Sequence, residues 1–181
     1  MAVSRVMIAA ALFGAASMIP VAAPAAAQEP LKVKESIYTR HNYDRCPTRG
    51  DNGAGVARRA CLGVGNIEIY WVKDDVSEGL WFGRRPITEK IDLGASYAPA
   101  DTVEWRLDKT TGRPRAAIVK YRVGKSAASR RENRLVVYRL EPSGTSCLMA
   151  VIKEPGAAAT AREAADAASS FRCGFDKRQG S

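Results

Sequence analysis

Four consecutive segments in the second half of the chain have the composition of β-strands, and the first two alternate apolar and polar side chains; this pattern constrains the fold more than any other feature. The segments are TVEWRL (102–107), RAAIVKYRV (115–123), RLVVYRL (134–140) and SCLMAVIK (146–153). A period of two residues is typical of a β-strand with one face against the core. Stretches rich in turn-forming residues, such as DKTTGRP and EPSG, separate the segments. We therefore predict an antiparallel meander in which consecutive strands pair.

Earlier and later segments complete the predicted fold. NIEIYWV (66–72) and LWFG (80–83) indicate two further strands. Near the C-terminus, Thr160 and Glu163 match the S/T-x-x-E capping box of a helix start. Three apolar side chains then share one helical stripe: Ala164, Ala168 and Phe171. We predict a helix over about Thr160–Phe171, ended at Gly174 and docked on the sheet, which makes the fold class α+β and mainly β.

The chain has four cysteines, Cys46, Cys61, Cys147 and Cys173. Four cysteines allow three pairings. We expect Cys46–Cys61 and Cys147–Cys173, because each of these pairs brackets one local unit of the chain. Disulfides of this kind are typical of exported proteins.

The N-terminal segment has the features of a secretory signal peptide. Arg5 precedes the apolar stretch 6–16, and Ala25 and Ala27 form an A-x-A cleavage site. No later stretch is apolar enough to predict a membrane span. We expect a periplasmic or secreted protein with three parts: a signal peptide (1–27), a flexible lead-in (28–33) and a single disulfide-stapled, β-rich domain (34–178).

Positive charge is concentrated in one region of the chain. The net charge is +9, and residues 101–140 hold eleven basic and four acidic side chains. Such a field favours anionic partners, which outside the cytoplasm are an anionic envelope component or an acidic protein rather than nucleic acid. The alternative is a basic surface that only keeps the protein in solution. The candidate binding residues are Arg106, Lys120, Arg122, Arg130, Arg131, Arg134 and Arg139.

The sequence predicts no catalytic centre, metal site or cofactor. His41 is the single histidine, so no second imidazole can complete a metal site, and the neighbouring Cys46 is expected to be disulfide-bonded. An acidic cluster is the one alternative: Asp74, Asp75 and Glu78 lie near three aromatic residues, as in a glycan-binding or glycan-cleaving groove. The aromatic residues are Tyr70, Trp71 and Trp81.

The C-terminal stretch GTSCLMAVIKEPGAAATAREAADAASSFRC (144–173) resembles a group of small exported proteins of alphaproteobacteria. These share a cysteine-bearing strand, an alanine-rich helix and a closing F-x-C. ACLGVGNIEIYW (60–71) and DTVEWRL (101–107) are similar to segments of the same group. The group has no established activity, so the resemblance implies an exported fold and assigns no functional residue.

These observations favour a non-enzymatic binding or envelope-associated module whose basic surface holds an anionic partner. Two other hypotheses remain open at this point. One is an inhibitor of an extracytoplasmic enzyme, a task that small stapled β-domains often perform. The other is the glycan-binding or glycan-active protein that the acidic cluster suggests. The sequence leaves the oligomeric state undetermined.

Overall fold

The structure is a computed structural model that describes residues 35–51, 57–89, 91 and 93–180. The predicted signal peptide (1–27) and lead-in (28–33) lie outside these residues. The described residues contain nine strands: β1 (Ser36–Arg40), β2 (Thr48–Asp51), β3 (Ala57–Leu62), β4 (Glu68–Lys73), β5 (Glu78–Phe82), β6 (Ser96–Leu107), β7 (Pro114–Gly124), β8 (Glu132–Leu140) and β9 (Ser146–Lys153).

A five-stranded antiparallel sheet contains the predicted meander. Its strand order is β1-β6-β7-β8-β9, so β6 to β9 are consecutive neighbours, as predicted. One valine from each of these four strands lies directly opposite the next across the sheet, and all four are buried. They are Val103, Val119, Val136 and Val151. The alternation seen in the sequence therefore selects one shared inner face.

A second antiparallel sheet, in the order β2-β3-β4-β5, packs against this inner face. In its central register Ile69 lies opposite Phe82 and Trp71 opposite Leu80, and all four side chains are buried. Phe82 meets Trp105 of the first sheet edge to face, with ring centroids 5.4 Å apart. The main core is therefore the layer between the two sheets.

Helix α1 (Ala157–Asp166) covers part of the outer face of the five-stranded sheet, followed by a 3-10 turn at Ala167–Ser169. The predicted C-terminal helix is confirmed, and it begins three residues earlier than expected. Thr160 lies inside the helix, which begins after Gly156, a residue in the left-handed region at φ +80°. Alanines extend the helix towards its N-terminus because they carry the highest helix propensity and Ala157 is itself buried on the sheet.

The alanine stripe packs as predicted. Ala161, Ala164, Ala165 and Ala168 are buried against the sheet, and Phe171 packs at the edge of the same cluster. Small side chains let the helix backbone approach the strands closely. Gly174 does not end the helix; it lies in a later turn, after the 3-10 segment.

Both predicted disulfides are confirmed. Cys46 and Cys61 join the segment before β2 to β3, with their Cα atoms 5.1 Å apart. Cys147 and Cys173 join β9 to the segment after the helix, with Cα atoms 5.8 Å apart. Within the described part of the chain, no helix has the length and apolar character needed to cross a membrane.

Candidate functional site

The predicted cationic residues fall into three structural groups, of which Arg106 forms the first. Its side chain is buried, and its Nε and Nη2 donate to the carboxylate of Asp166 at 3.0 and 2.8 Å. Its Nη1 donates to Ser36 Oγ at 2.8 Å. The candidate binding residue Arg106 is therefore not open to a partner, because helix α1 covers that end of the sheet.

Asp166 also binds a second arginine. Arg115 Nη2 donates to Asp166 Oδ1 at 2.9 Å, beside the contacts from Arg106. Burial alone raises the pKa of Asp166, but the hydrogen bonds from Arg106 and Arg115 outweigh it and hold this pKa below its ordinary value. Two arginines on one carboxylate therefore form an ionic attachment between the helix and the sheet.

Arg130 belongs to the second group, whose members are tied to partners within the fold. Its Nη2 donates to the Val76 carbonyl at 2.8 Å and its Nε donates to Ser96 Oγ at 3.0 Å. Its Nη1 lies 3.6 Å from a Glu78 carboxylate oxygen. Arg130 therefore links the β7–β8 connection to the segment before β5.

Arg134 and Arg139 complete this group. Arg134 contacts Glu132 at 2.8 Å and Arg139 contacts Glu141 at 3.8 Å. Both arginine side chains are more than four-fifths buried. Each of their charges is offset by a carboxylate two residues away along the chain.

The third group remains open to solvent. Arg122 and Arg131 are exposed, and no carboxylate of the described residues lies within ion-pair distance of either guanidinium. Lys120 is 47% exposed and meets Glu154 at 3.4 Å. Lys125 is exposed at the start of the β7–β8 connection. We name the set Lys120, Arg122, Lys125 and Arg131 the β7–β8 basic strip.

The acidic cluster has structural partners. Asp74 Oδ1 accepts the backbone N–H groups of Val76 and Ser77 at 2.9 and 2.6 Å, which closes the turn before β5. Glu78 lies between Arg130, at 3.6 Å, and Lys73, at 3.7 Å. Two of the three carboxylates thus stabilise the chain around this turn.

The aromatic residues near this cluster belong to the sheet packing. Tyr70 and Trp81 stack across neighbouring strands with centroids 5.1 Å apart and an angle of 2° between the rings. Trp71 is buried between the sheets and stacks on Tyr43 at 6.3 Å. Trp71 and Trp81 are both buried, so neither offers an open stacking platform for a sugar.

His41 is held in a hydrogen-bonded chain. Thr39 Oγ1 accepts the Trp105 indole N–H at 2.7 Å and lies 2.6 Å from His41 Nε2. Burial lowers the pKa of His41, with Asp101 opposing the shift, so the ring is neutral at pH 7. Among the described residues, no three or more metal-ligating side chains form a group.

Two clefts open on the surface at different places along β7. The larger, about 1240 Å³, lies where the turns at one end of the sandwich meet and includes Pro114 and Arg115. The smaller, about 820 Å³, includes Arg122 together with the edges of His41 and Trp71. The charge pattern of the sequence predicted Arg122 as a candidate binding residue. The larger cleft has no local sequence pattern, because it is formed by turns that are far apart in the chain.

Comparison of the chain with protein-family models, with curated proteins and with solved structures gives no match. Function is therefore inferred from the chemistry of the molecule itself.

Proposed function

We propose that the protein is an extracytoplasmic, non-enzymatic binding module that holds an anionic envelope component on the β7–β8 basic strip. The observation that supports this proposal is the contrast within the predicted cationic set. Arg106, Arg130, Arg134 and Arg139 are occupied by carboxylates or carbonyls inside the fold. Arg122 and Arg131 are exposed without such partners among the described residues.

The strip suits an extended polyanion. Lys120 and Arg122 are two residues apart on a strand that pairs on both sides, so they share one face at a spacing of about 6.6 Å. Because β7 is held between β6 and β8, their backbones are rigid. Arginine presents a planar fork of donors to carboxylate or phosphate, whereas lysine acts as a point charge.

The compartment is inferred from two features that act together. The N-terminal sequence predicts a cleaved signal peptide, and both cysteine pairs form disulfides, which persist in oxidising compartments. In such a compartment the abundant polyanions are envelope polymers and lipid headgroups. A partner of this kind needs an exposed basic surface rather than an enclosed pocket.

The test is retention of the mature protein on fractionated cell envelope at low salt and near 0.5 M salt. At the higher salt the Debye length falls to about 4–5 Å, so exposed charges are screened. We expect retention to be lost with salt. We also expect Lys120→Gln/Arg122→Gln to weaken retention about tenfold or more, because each cation near an anionic surface contributes about 1 kcal/mol.

The matched control is Arg45→Gln/Arg85→Gln, which removes two exposed cations outside the strip. It should retain most of the binding. If both double variants weaken envelope retention equally, retention depends only on the net charge of the protein, and the proposal is contradicted. Retention of one discrete protein that survives high salt would contradict it too, and would indicate a packed protein interface instead.

A further inference from the structure

The larger cleft is formed by parts of the chain that meet only in the folded molecule. Its walls are the β3–β4 connection, the end of β5, the β6–β7 and β8–β9 turns, and the 3-10 turn after the helix. Loops that cluster at one end of a rigid sandwich are common positions for binding sites. Four arginines line this cleft: Arg84, Arg113, Arg115 and Arg139.

Two of these arginines have capacity for an anion. Arg84 and Arg113 are exposed, and no carboxylate of the described residues lies within ion-pair distance of either guanidinium. Arg115, by contrast, binds Asp166 through Nη2 at 2.9 Å. The side chains available to a ligand in this cleft are therefore those of Arg84 and Arg113.

The carboxylates that also line the cleft are engaged elsewhere. Asp108 accepts the backbone N–H groups of Thr110 and Thr111 at 3.0 and 2.7 Å. Those contacts, led by the ones from Thr111, lower the pKa of Asp108. Its charge is thus offset within its own turn.

The two remaining acidic side chains of the cleft have comparable partners. Glu141 accepts the Thr145 hydroxyl at 3.1 Å and contacts Arg139 at 3.8 Å. Glu68 accepts the Tyr70 hydroxyl at 2.9 Å and lies 3.8 Å from Arg49. The cleft is therefore lined by four arginines and three hydrogen-bonded carboxylates, and the carboxylates are not ion-paired with its exposed cations Arg84 and Arg113.

The backbone under Arg84 and Arg113 is fixed. The Arg84 N–H donates to the Gly144 carbonyl at 2.9 Å, and the preceding Gly83, at φ +82°, lies so close that a Cβ would collide with that carbonyl. The carbonyl of Arg113 accepts the Asp108 N–H at 2.8 Å. Both arginines thus extend from turns that are already in place before any ligand arrives.

We propose that this cleft binds a phosphoryl group through Arg84 and Arg113. A phosphoryl group carries charge and several acceptor oxygens, which match the planar donor fork of arginine better than a single carboxylate does. The site is separate from the basic strip, because Arg113, directly before β7, and Lys120, the first strip residue on that strand, are seven residues, or about 23 Å, apart. The two proposals can therefore fail independently.

The experiment is a titration of the mature protein with three phosphoryl probes at constant ionic strength. The probes are inorganic phosphate, glycerol phosphate, and phosphatidylcholine vesicles containing phosphatidic acid. NMR of the arginine Nε–H resonances reports on the soluble probes, and co-sedimentation reports on the vesicles. We expect saturable binding of at least one probe, and shifted Arg84 and Arg113 Nε–H resonances when that probe is soluble.

The variant Arg84→Gln/Arg113→Gln should weaken binding tenfold or more without loss of fold, since neither side chain has an ion-pair partner among the described residues. Lys120→Gln/Arg122→Gln is the charge-matched control and should bind phosphate as the wild type does. Arg115 is left unchanged because it binds the helix through Asp166. Binding of inorganic phosphate or glycerol phosphate would identify a soluble ligand, and binding of vesicles alone would identify a lipid headgroup.

Three results would overturn the inference. One is the absence of saturable binding for all three probes. Another is equal weakening by the two double variants, which would show a response to net charge alone. The last is phosphate binding that survives Arg84→Gln/Arg113→Gln. None of these results depends on envelope retention, which tests the basic strip separately.

Discussion

At the scale of single residues, two buried tyrosines join the sheets. Tyr121 Oη accepts the Leu80 backbone N–H at 3.1 Å and lies 2.9 Å from Tyr138 Oη. Both side chains are completely buried, and burial raises the pKa of each hydroxyl well above its ordinary value. The pair therefore stays neutral and hydrogen-bonded, and it connects β7 and β8 of one sheet to β5 of the other.

Substituting these tyrosines one at a time should give unequal losses of stability. Tyr138→Phe removes one hydrogen bond and should lower the free energy of unfolding by about 1 kcal/mol. Tyr121→Phe also leaves the Leu80 N–H and the Tyr138 hydroxyl without their partner, so we expect about 2–3 kcal/mol. Urea unfolding followed by tryptophan fluorescence measures both values. Equal losses, or a larger loss for Tyr138→Phe, would contradict this account of the network.

At the scale of elements, helix α1 is attached to the sheet by buried alanines and by ion pairs on one side. Arg162 donates to Glu104 at 2.8 Å, and Asp166 accepts from Arg106 and Arg115. Burial alone raises the pKa of Glu104, but hydrogen bonds from Arg162 and Ser36 outweigh it and lower this pKa. All three of these ionic contacts therefore depend on an ionised carboxylate, that of Glu104 or that of Asp166.

Acid should loosen the helix before it unfolds the sheets. A carboxyl whose pKa is lowered in the folded state adds stability above its ordinary pKa, which is 4.5 for Glu104 and 3.8 for Asp166. That stability is lost as pH falls below these values and through the lowered pKa of the folded state. We expect amide hydrogen exchange, corrected for intrinsic rates, to show weaker protection of α1 relative to β7 at pH 3 than at pH 6.

The control for this prediction is Glu104→Gln/Asp166→Asn. In that variant the protection of α1 should be lower at pH 6 and should change little with acid. A wild-type helix whose protection relative to β7 is the same at pH 6 and pH 3 would show that the ion pairs do not hold it.

At the scale of the whole molecule, the two disulfides act on different parts of the fold. Cys46–Cys61 closes a separation of 15 residues around β2 and β3, and Cys147–Cys173 closes a separation of 26 residues around the helix. Loss of chain entropy in the unfolded state predicts a stabilisation of about 3 kcal/mol for the first and about 3.5 kcal/mol for the second. Their local effects should differ more than their contributions to global stability.

Removal of the second disulfide should release the C-terminal segment. In Cys147→Ala/Cys173→Ser, we expect limited proteolysis after the helix, between Ser170 and Lys177, to become at least several-fold faster. Cys46→Ala/Cys61→Ala is the matched control and should leave that cleavage rate unchanged. Mass spectrometry of early fragments measures both. An unchanged cleavage rate in the first variant would show that the helix and the strands hold this segment without the bond.

Several features of this protein could be predicted from its sequence because their physical cause is local. The two-residue alternation places Val119 and Tyr121 on the inner face of a strand, whatever lies around them. The spacing of Ala164 and Ala168 places both on one side of a helix. The disulfide pairs could be predicted because each closes a short unit of chain. These local patterns are sufficient to predict the β-rich class, the meander, the docked helix and the two disulfides.

The tertiary structure alone decided which charged groups remain available. Arg106 and Arg122 have similar positions in their strands, yet the helix buries one and leaves the other in solvent. Arg84 and Arg113 line the same cleft because distant turns meet at one end of the sandwich. Burial, ion pairing and cleft formation depend on what packs against a residue from elsewhere in the chain, and a local sequence pattern does not contain that information.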